Sequence, residues 1–204
     1  LLVSGGILWG NGVAVNAWAT PWSRADWVEI TISDALLWEN QTGLKVDRGN
    51  LTVRDSDLVD NTTHGVNYKG AGNLVVDRTV VNGSEIGIEM RTGDGEFEVV
   101  SFAENLQNLV VGDYYDGLDG TATLNHVTSG PTTEAGDCSL PAVQIYGPGV
   151  TVSNSILAAG ACGTGPSCST VDEWNYTTHS VTGAGLNLVA SVGPYASPLC
   201  DTAG

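Results

Sequence analysis

Asn40, Asn61 and Asn82 are spaced 21 residues apart, and each lies inside a longer repeated pattern. The first copy runs from Glu29-Ile30-Thr31-Ile32 through Asn40 to Gly43-Leu44-Lys45-Val46. The second runs from Asn50-Leu51-Thr52-Val53 through Leu58 and Asn61 to Gly65-Val66-Asn67-Tyr68. The third runs from Asn73-Leu74-Val75-Val76 through Val81 and Asn82 to Gly87-Ile88-Glu89-Met90. Each reads as a short alternating strand, a polar corner, a small-residue turn and a second short strand. A fixed period of this length marks a chain that coils and stacks.

Weaker copies follow. Phe97 and Val99 open one that ends near Leu109-Val110-Val111, and Ala122 and Leu124 open another that ends at Val143-Gln144-Ile145-Tyr146. Val150 to Ile156 opens a last one, and the stretch before Val28 (Ile7-Leu8-Trp9, then Val13-Ala14-Val15) reads as an irregular first coil. One such coil cannot bury its own apolar face, so successive coils must stack with strands in parallel register, roughly 4.8 Å apart. Leu51, Val53, Leu58 and Val66 are then expected to sit inward over Ile30, Ile32, Leu37 and Leu44. With a 23-residue offset Arg54 falls over Asp77 and Asp55 over Arg78, which pairs opposite charges twice.

Over residues 28–160 the repeat resembles the right-handed parallel β-helix of the pectate-lyase-like superfamily. That resemblance implies an all-β, single-stranded parallel β-helix (solenoid), here of about six or seven coils in one domain, 1–204. Residues 1–27 form a Trp-rich first coil or cap, 28–160 the regular coils, and 161–204 a disulfide-stapled C-terminal segment. The family holds lyases, hydrolases, epimerases, adhesins and phage spikes, so the fold does not give the function. The tail from Gly185-Leu186-Asn187-Leu188-Val189 to Ser197-Pro198-Leu199-Cys200-Asp201-Thr202-Ala203-Gly204 is similar to the closing segment of secreted bacterial β-helix repeat proteins. Here Thr202 and Ala203 put one residue more before the last Gly.

The formal net charge is −16, and after Arg91 there is no Lys or Arg while twelve Asp and Glu remain. Such a surface repels nucleic acid and anionic membranes. No stretch reaches the roughly 20 apolar residues needed to span a bilayer, so no membrane insertion is expected. The four cysteines, Cys138, Cys162, Cys168 and Cys200, all fall in the C-terminal third. An even number in loop-rich sequence points to disulfides and an oxidising, extracellular or cell-surface location. Three connectivities are open, with Cys162–Cys168 and Cys138–Cys200 favoured by the short Gly-Thr-Gly-Pro-Ser loop.

Five Asn-x-Ser/Thr triplets begin at Asn40, Asn50, Asn61, Asn82 and Asn175. For the periodic three, a stacked amide ladder at a polar corner competes with glycosylation, because Asn tolerates left-handed backbone and stacks in cross-β arrays. A buried ladder amide carries no glycan, which leaves Asn175 as the foremost acceptor.

Chemistry-bearing motifs are sparse. Asp113, Asp116 and Asp119, with neighbouring glycines, offer hard oxygen ligands for calcium. The resemblance implies, for a lyase, calcium held by carboxylates and a basic proton acceptor. Arg48, Arg54 and Arg78 near Asp47, Asp55, Asp57 and Asp77 supply the residue types without the signature segment. His64 reads as a surface residue of a turn. Serine-hydrolase, P-loop and zinc-protease motifs are absent. Trp18, Trp22 and Trp27, flanked by Trp9 and Trp38, offer either a cap for the open end or a contact surface for glycan or protein.

The expectation is therefore a non-catalytic extracellular or surface module with a structural, adhesive or glycan-binding role. Its partners are polysaccharide or another surface protein, with end-to-end self-assembly as a further contact. The alternative is a polysaccharide lyase or glycoside hydrolase acting on acidic polysaccharide with calcium.

Overall fold

The apolar–polar alternation becomes a stack of parallel strands. The structure, a computed structural model, describes residues 1–18, 27–112, 120–130, 143–145, 149–157, 171–173, 180–184 and 188–189. These residues contain strands and no helix. The chain opens with β1 (Leu2–Trp9) and β2 (Val13–Ala17). Then come β3 (Val28–Trp38), β4 (Thr42–Val46), β5 (Gly49–Arg54), β6 (Asp57–Val59), β7 (His64–Tyr68), β8 (Asn73–Asn82), β9 (Ile86–Met90), β10 (Gly93–Ala103) and β11 (Gln107–Val111). Next are β12 (Gly120–Asn125), β13 (Thr128–Ser129), β14 (Val143–Ile145) and β15 (Gly149–Ser153). The last are β16 (Ile156–Leu157), β17 (Val171–Glu173), β18 (Ser180–Ala184) and β19 (Leu188–Val189).

One sheet runs β1-β3-β5-β8-β10-β12-β15-β18, with β6, β13, β16 and β19 continuing its bent second flank. The other runs β17-β14-β11-β9-β7-β4-β2. The result is a parallel β-solenoid. Four turns, from Val28 to Val111, are traced end to end, fewer than the six or seven expected; the outlying strands extend both sheets at either end.

The expected core columns form. Leu51 pairs with Ile30, Val53 with Ile32, Leu58 with Leu37 and Val66 with Leu44. All eight are buried. Each such side chain contributes about 1.5–3 kcal/mol on leaving water. The columns continue through Leu74, Val76, Val81 and Ile88, then Phe97, Phe102 and Leu109. The charge register also holds. Arg54 lies opposite Asp77, and Arg78 donates from Nε and Nη2 to Asp55 at 2.6 and 2.8 Å while also pairing with Asp77. This pair is exposed, so it reports register more than it supplies stability.

Two columns of left-handed backbone bend each turn. The first is Gly5, Asp34, Asp55, Arg78, Val99, His126 and Asn154, with φ between 44° and 67°. Side chains at 30 and 32 point inward before this bend and those at 35 and 37 after it, so the residue at the bend shifts the alternation by one. Val99 is thus an exposed corner residue, not the inward partner of Phe97 that the alternation predicts. The second column is Gly10, Glu39, Asp60, Gly83 and Glu104.

Directly after the second bend runs the amide ladder. Its members are Asn11, Asn40, Asn61 and Asn105, with Ser84 at the position between the last two, and not Asn82. The Asn40 Oδ1 accepts from the N–H of Asn11 at 3.0 Å, the Asn61 Oδ1 from that of Asn40 at 3.3 Å, and the Asn105 Oδ1 from that of Ser84 at 2.9 Å. Asn82 instead pairs with Val59 and Ala103, two positions before the ladder. The cause is a turn longer by two residues: Val59 meets Trp38 at an offset of 21, His64 meets Thr42 at 22 and Leu74 meets Leu51 at 23, so one residue is added between Asn61 and His64 and one at the corner Lys69-Gly70-Ala71-Gly72.

Ser84 breaks the ladder. Its Oγ is buried without a hydrogen-bond partner. Ser84→Asn is expected to raise stability by about 1 kcal/mol, by presenting Oδ1 to the Asn61 N–H and Nδ2 to the Leu58 carbonyl. Val81 Cγ1, which lies over Gly65, must turn aside to admit the amide. A urea titration checks this; an unchanged or lower midpoint would contradict it.

Candidate functional site

The outward residues of the first flank form three rows along the rod. Register places Glu29, Asn50, Asn73, Asp94 and Thr121 in one row, and Thr31, Thr52, Val75, Glu96, Thr123 and Thr151 in the next. Ser33, Arg54, Asp77, Glu98, Asn125 and Ser153 make the third. Short polar side chains bond from turn to turn. Asn50 donates from Nδ2 to Glu29 Oε1 at 2.6 Å and accepts from the Asn73 N–H at 2.8 Å. The Thr121 hydroxyl donates to Asp94 Oδ1 at 2.5 Å, and the Ser153 hydroxyl to Asn125 Oδ1 at 3.0 Å.

Between these rows lies a groove of about 420 Å3, lined by Asn73, Val75, Asp94, Gly95, Glu96, Thr121 and Thr123. Its walls come from β8, β10 and β12, three successive turns. No Lys or Arg lines it, and two carboxylates do. A second groove of about 370 Å3 follows the second bend and is lined by Asp60, Thr62, Ser84, Glu85 and Glu104 among others. Among the described residues no three His, Cys, Asp or Glu side chains come together as a metal-binding group.

The other sheet carries a second, less exposed ionisable cluster. Asn67 and Glu89 are register partners on β7 and β9, and both face away from the core columns. His64 Nε2 lies 3.2 Å from Glu89 Oε2, and Arg91 Nε donates to Glu89 Oε1 at 3.1 Å. The Glu89 Oε2 contact is not aligned as a hydrogen bond, and the neighbouring Asn67 Oδ1 is buried without a partner. Burial raises the Glu89 pKa, but His64 and Arg91 outweigh it and hold the carboxyl below its ordinary range. The unfolded chain therefore binds the proton first as pH falls. Glu89 supports the fold at neutral pH, and that support is lost on acidification through and below the ordinary Glu range. Glu89→Gln is expected to flatten the loss of stability between about pH 6 and pH 3. Urea midpoints across that range test it, and parallel acid limbs in the two proteins would refute it.

The sequence-derived candidates are scattered. Asp113, Asp116, Asp119, the four cysteines, Asn175 and Trp22 lie outside the described residues. Asn40 and Asn61 are fully buried in the ladder, and their Nδ2 atoms, which a glycan would need, donate at 3.0 Å to Leu8 and Leu37 carbonyls. The fold closes both to glycosylation. Asn50 on β5 and Asn82 on β8 are half-buried, and the Oδ1 of Asn82 is shielded without a partner.

Trp18 is exposed and Trp27 half-buried. Trp9 and Trp38 stack 6.4 Å apart on the flank, with Trp9 Nε1 donating to Glu39, and both are exposed. His64 is no free turn residue, since it starts β7 against Glu89. No sequence motif groups the residues Asn73, Asp94, Glu96, Thr121 and Thr123 into one groove, because only the offsets between turns bring them together. Comparison with protein-family models, with curated proteins and with solved structures finds no match to this chain.

Proposed function

We propose that this chain is a non-catalytic β-solenoid module of an extracellular or cell-surface protein, and that the outer face of its first flank binds glycan. The observation that carries this reading is the groove of Asn73, Asp94, Glu96, Thr121 and Thr123. Hydroxyl, amide and carboxylate groups recur there at one-strand intervals, roughly 4.8 Å. That spacing suits hydrogen bonding to the hydroxyls of successive sugar rings. The Thr, Ser and Asn rows prolong the same surface along the rod, so a chain of sugars has more than one turn to lie against.

Charge selects within the glycans. Asp94 and Glu96, on a chain of net charge −16, favour neutral or amino sugars and repel uronates. The pectate-lyase-like resemblance supports the other reading, a calcium-dependent lyase or hydrolase of acidic polysaccharide. Against it, Glu89 already engages both His64 and Arg91 on the second sheet.

Titration calorimetry against neutral, amino-sugar and uronate oligosaccharides, with and without calcium, separates the two. Saturable binding of a neutral or amino sugar is expected, weakened by Glu96→Gln and Thr123→Val. New unsaturated or reducing ends on a uronate polymer would overturn the reading, as would binding that ignores both substitutions. Secretion belongs to the same proposal, with Cys138, Cys162, Cys168 and Cys200 paired and Asn175 or Asn50 glycosylated. Intact mass of natively sourced protein, before and after reduction and deglycosylation, tests that part.

A further inference from the structure

The second bend sets Glu39, Asp60 and Glu104 in one column, and Gly83 interrupts it. On the same turn Ser84 interrupts the amide ladder. One turn therefore lacks two side chains that its neighbours carry, and the groove of about 370 Å3 opens there. Asp60, Glu85 and Glu104 line it, together with Thr62, Ser84 and Leu106, and no Lys or Arg does. Among the described residues no ion pair engages any of these three carboxylates. A Cβ placed on Gly83 would run into Asp60 Oδ1, so this carboxylate already leans into the space that the missing side chain leaves. Ser84 gives a separate sign of an absent partner. It is 4% exposed, it lines the groove, and its Oγ has no hydrogen-bond partner. Buried hydroxyls are seldom left unpaired.

We infer that this groove binds a short aliphatic diamine through its ammonium groups. An ammonium group has donors and no acceptor, and the groove presents three carboxylates and the hydroxyls of Thr62 and Ser84. Bonds of this charge-assisted kind are the strong ones. Asp60 and Glu104 stand on the turns either side of Gly83, two strand spacings or roughly 9.6 Å apart. Two ammonium groups on one short chain can serve both, and Leu106 offers an apolar wall to the methylenes between them. The two positive charges also relieve the repulsion among three carboxylates, on a chain whose net charge of −16 draws cations in. A bare metal ion suits the groove less well. Among the described residues no three acidic, His or Cys side chains converge as a metal group, and the volume is that of a pocket for a small organic molecule.

Titration calorimetry of the full chain with putrescine, butylamine, tetramethylammonium and calcium tests the site. Saturable binding of putrescine is expected. Butylamine, with one ammonium group, and tetramethylammonium, with no N–H to donate, should each bind roughly tenfold more weakly or worse. Glu85→Gln/Glu104→Gln keeps the shape of the lining and is expected to weaken putrescine binding by roughly tenfold or more. Ser84→Asn, which takes the hydroxyl away and fills the gap in the ladder, should weaken it too. Glu96→Gln/Glu98→Gln removes the same charge from the first flank and should leave the affinity unchanged, which separates this site from the glycan groove. The far-ultraviolet circular dichroism spectrum should be the same for all. No saturable binding of putrescine, a butylamine affinity equal to it, or calcium held more tightly than the diamine would each overturn the inference. So would a putrescine affinity that survives the Glu85/Glu104 or the Ser84 change, or one that falls equally in both double variants.

Discussion

Gly49→Ala is expected to destabilise the solenoid by about 3 kcal/mol or more, although it adds a single methyl group. Two effects combine at this position. Gly49 holds φ at 130°, a region closed to L side chains. Its added Cβ would also press into the backbone carbonyl of Val28, on the turn below, well inside van der Waals contact. The carbonyl and the N–H of Val28 are backbone and cannot turn away as a flexible side-chain tip could.

The same corner repeats along the rod, since Gly49, Gly72 and Gly93 stack in register and a Cβ on each meets the carbonyl oxygen of the turn before. Only a residue without a side chain lets two turns close at strand spacing while the chain reverses. The Gly49 carbonyl further accepts from the buried Tyr68 hydroxyl at 2.6 Å, so a shift of the corner breaks that bond too. Gly12→Ala is the control, for a Cβ there meets nothing within 4 Å and φ is not positive. Its urea midpoint should stay near that of the parent, while that of Gly49→Ala falls. Equal midpoints would mean that the turns relax freely, against the register described.

The fold was legible because its core alternates in short, similar runs. Ile30 over Leu51 and Leu37 over Leu58 need no more than the 21-residue spacing to be found. The ladder was legible in kind but not in membership. Asn40 and Asn61 belong, whereas Asn82 keeps the 21-residue spacing by coincidence, displaced by the two residues this turn adds, one between Asn61 and His64 and one at Lys69 to Gly72. The first bend left no chemical trace, because Asp, Arg, Val, His and Asn all occupy it. A left-handed Val99 goes against its own preference, and the stacking of neighbouring turns overrides it. The candidate groove was hidden for another reason. Asp94 and Thr121 are 27 residues apart, and the offsets vary from turn to turn, so the row exists only once the register is known. The contact of His64 with Glu89 is of the same sort.

Asn61→Ala is the second substitution with a large expected effect, about 3–5 kcal/mol. The side chain is wholly buried and is both acceptor and donor toward the preceding turn. Its Oδ1 accepts from the backbone N–H of Asn40 at 3.3 Å and from Asn40 Nδ2 at 3.0 Å, while its own Nδ2 donates to the Leu37 carbonyl at 3.0 Å. Alanine deletes one residue's worth of partners for three groups that water does not reach. Each buried group left unpaired costs about 1–3 kcal/mol, and the space vacated by the amide adds to it. Asn40 Nδ2 keeps a second acceptor in the Leu8 carbonyl, so its share is the smallest.

In a solenoid each turn touches only its neighbours, so the loss concentrates between the turn of Asn40 and that of Asn61. The amide of Asn40 should then exchange its hydrogen faster than those of the Leu74 to Val76 strand, two turns along in the first sheet. Urea unfolding should show a lower midpoint and a shallower slope, as the first turns come away before the rest. Asn61→Asp separates the two halves of the bond. It keeps the acceptors for Asn40 but loses the donor to Leu37 and buries a charge, so it too should destabilise, most at neutral pH and less as acid protonates it. Were Asn61→Ala to leave the midpoint and the Asn40 exchange rate unchanged, the amides would be passengers of the bend, and the left-handed column before them would alone hold the corner.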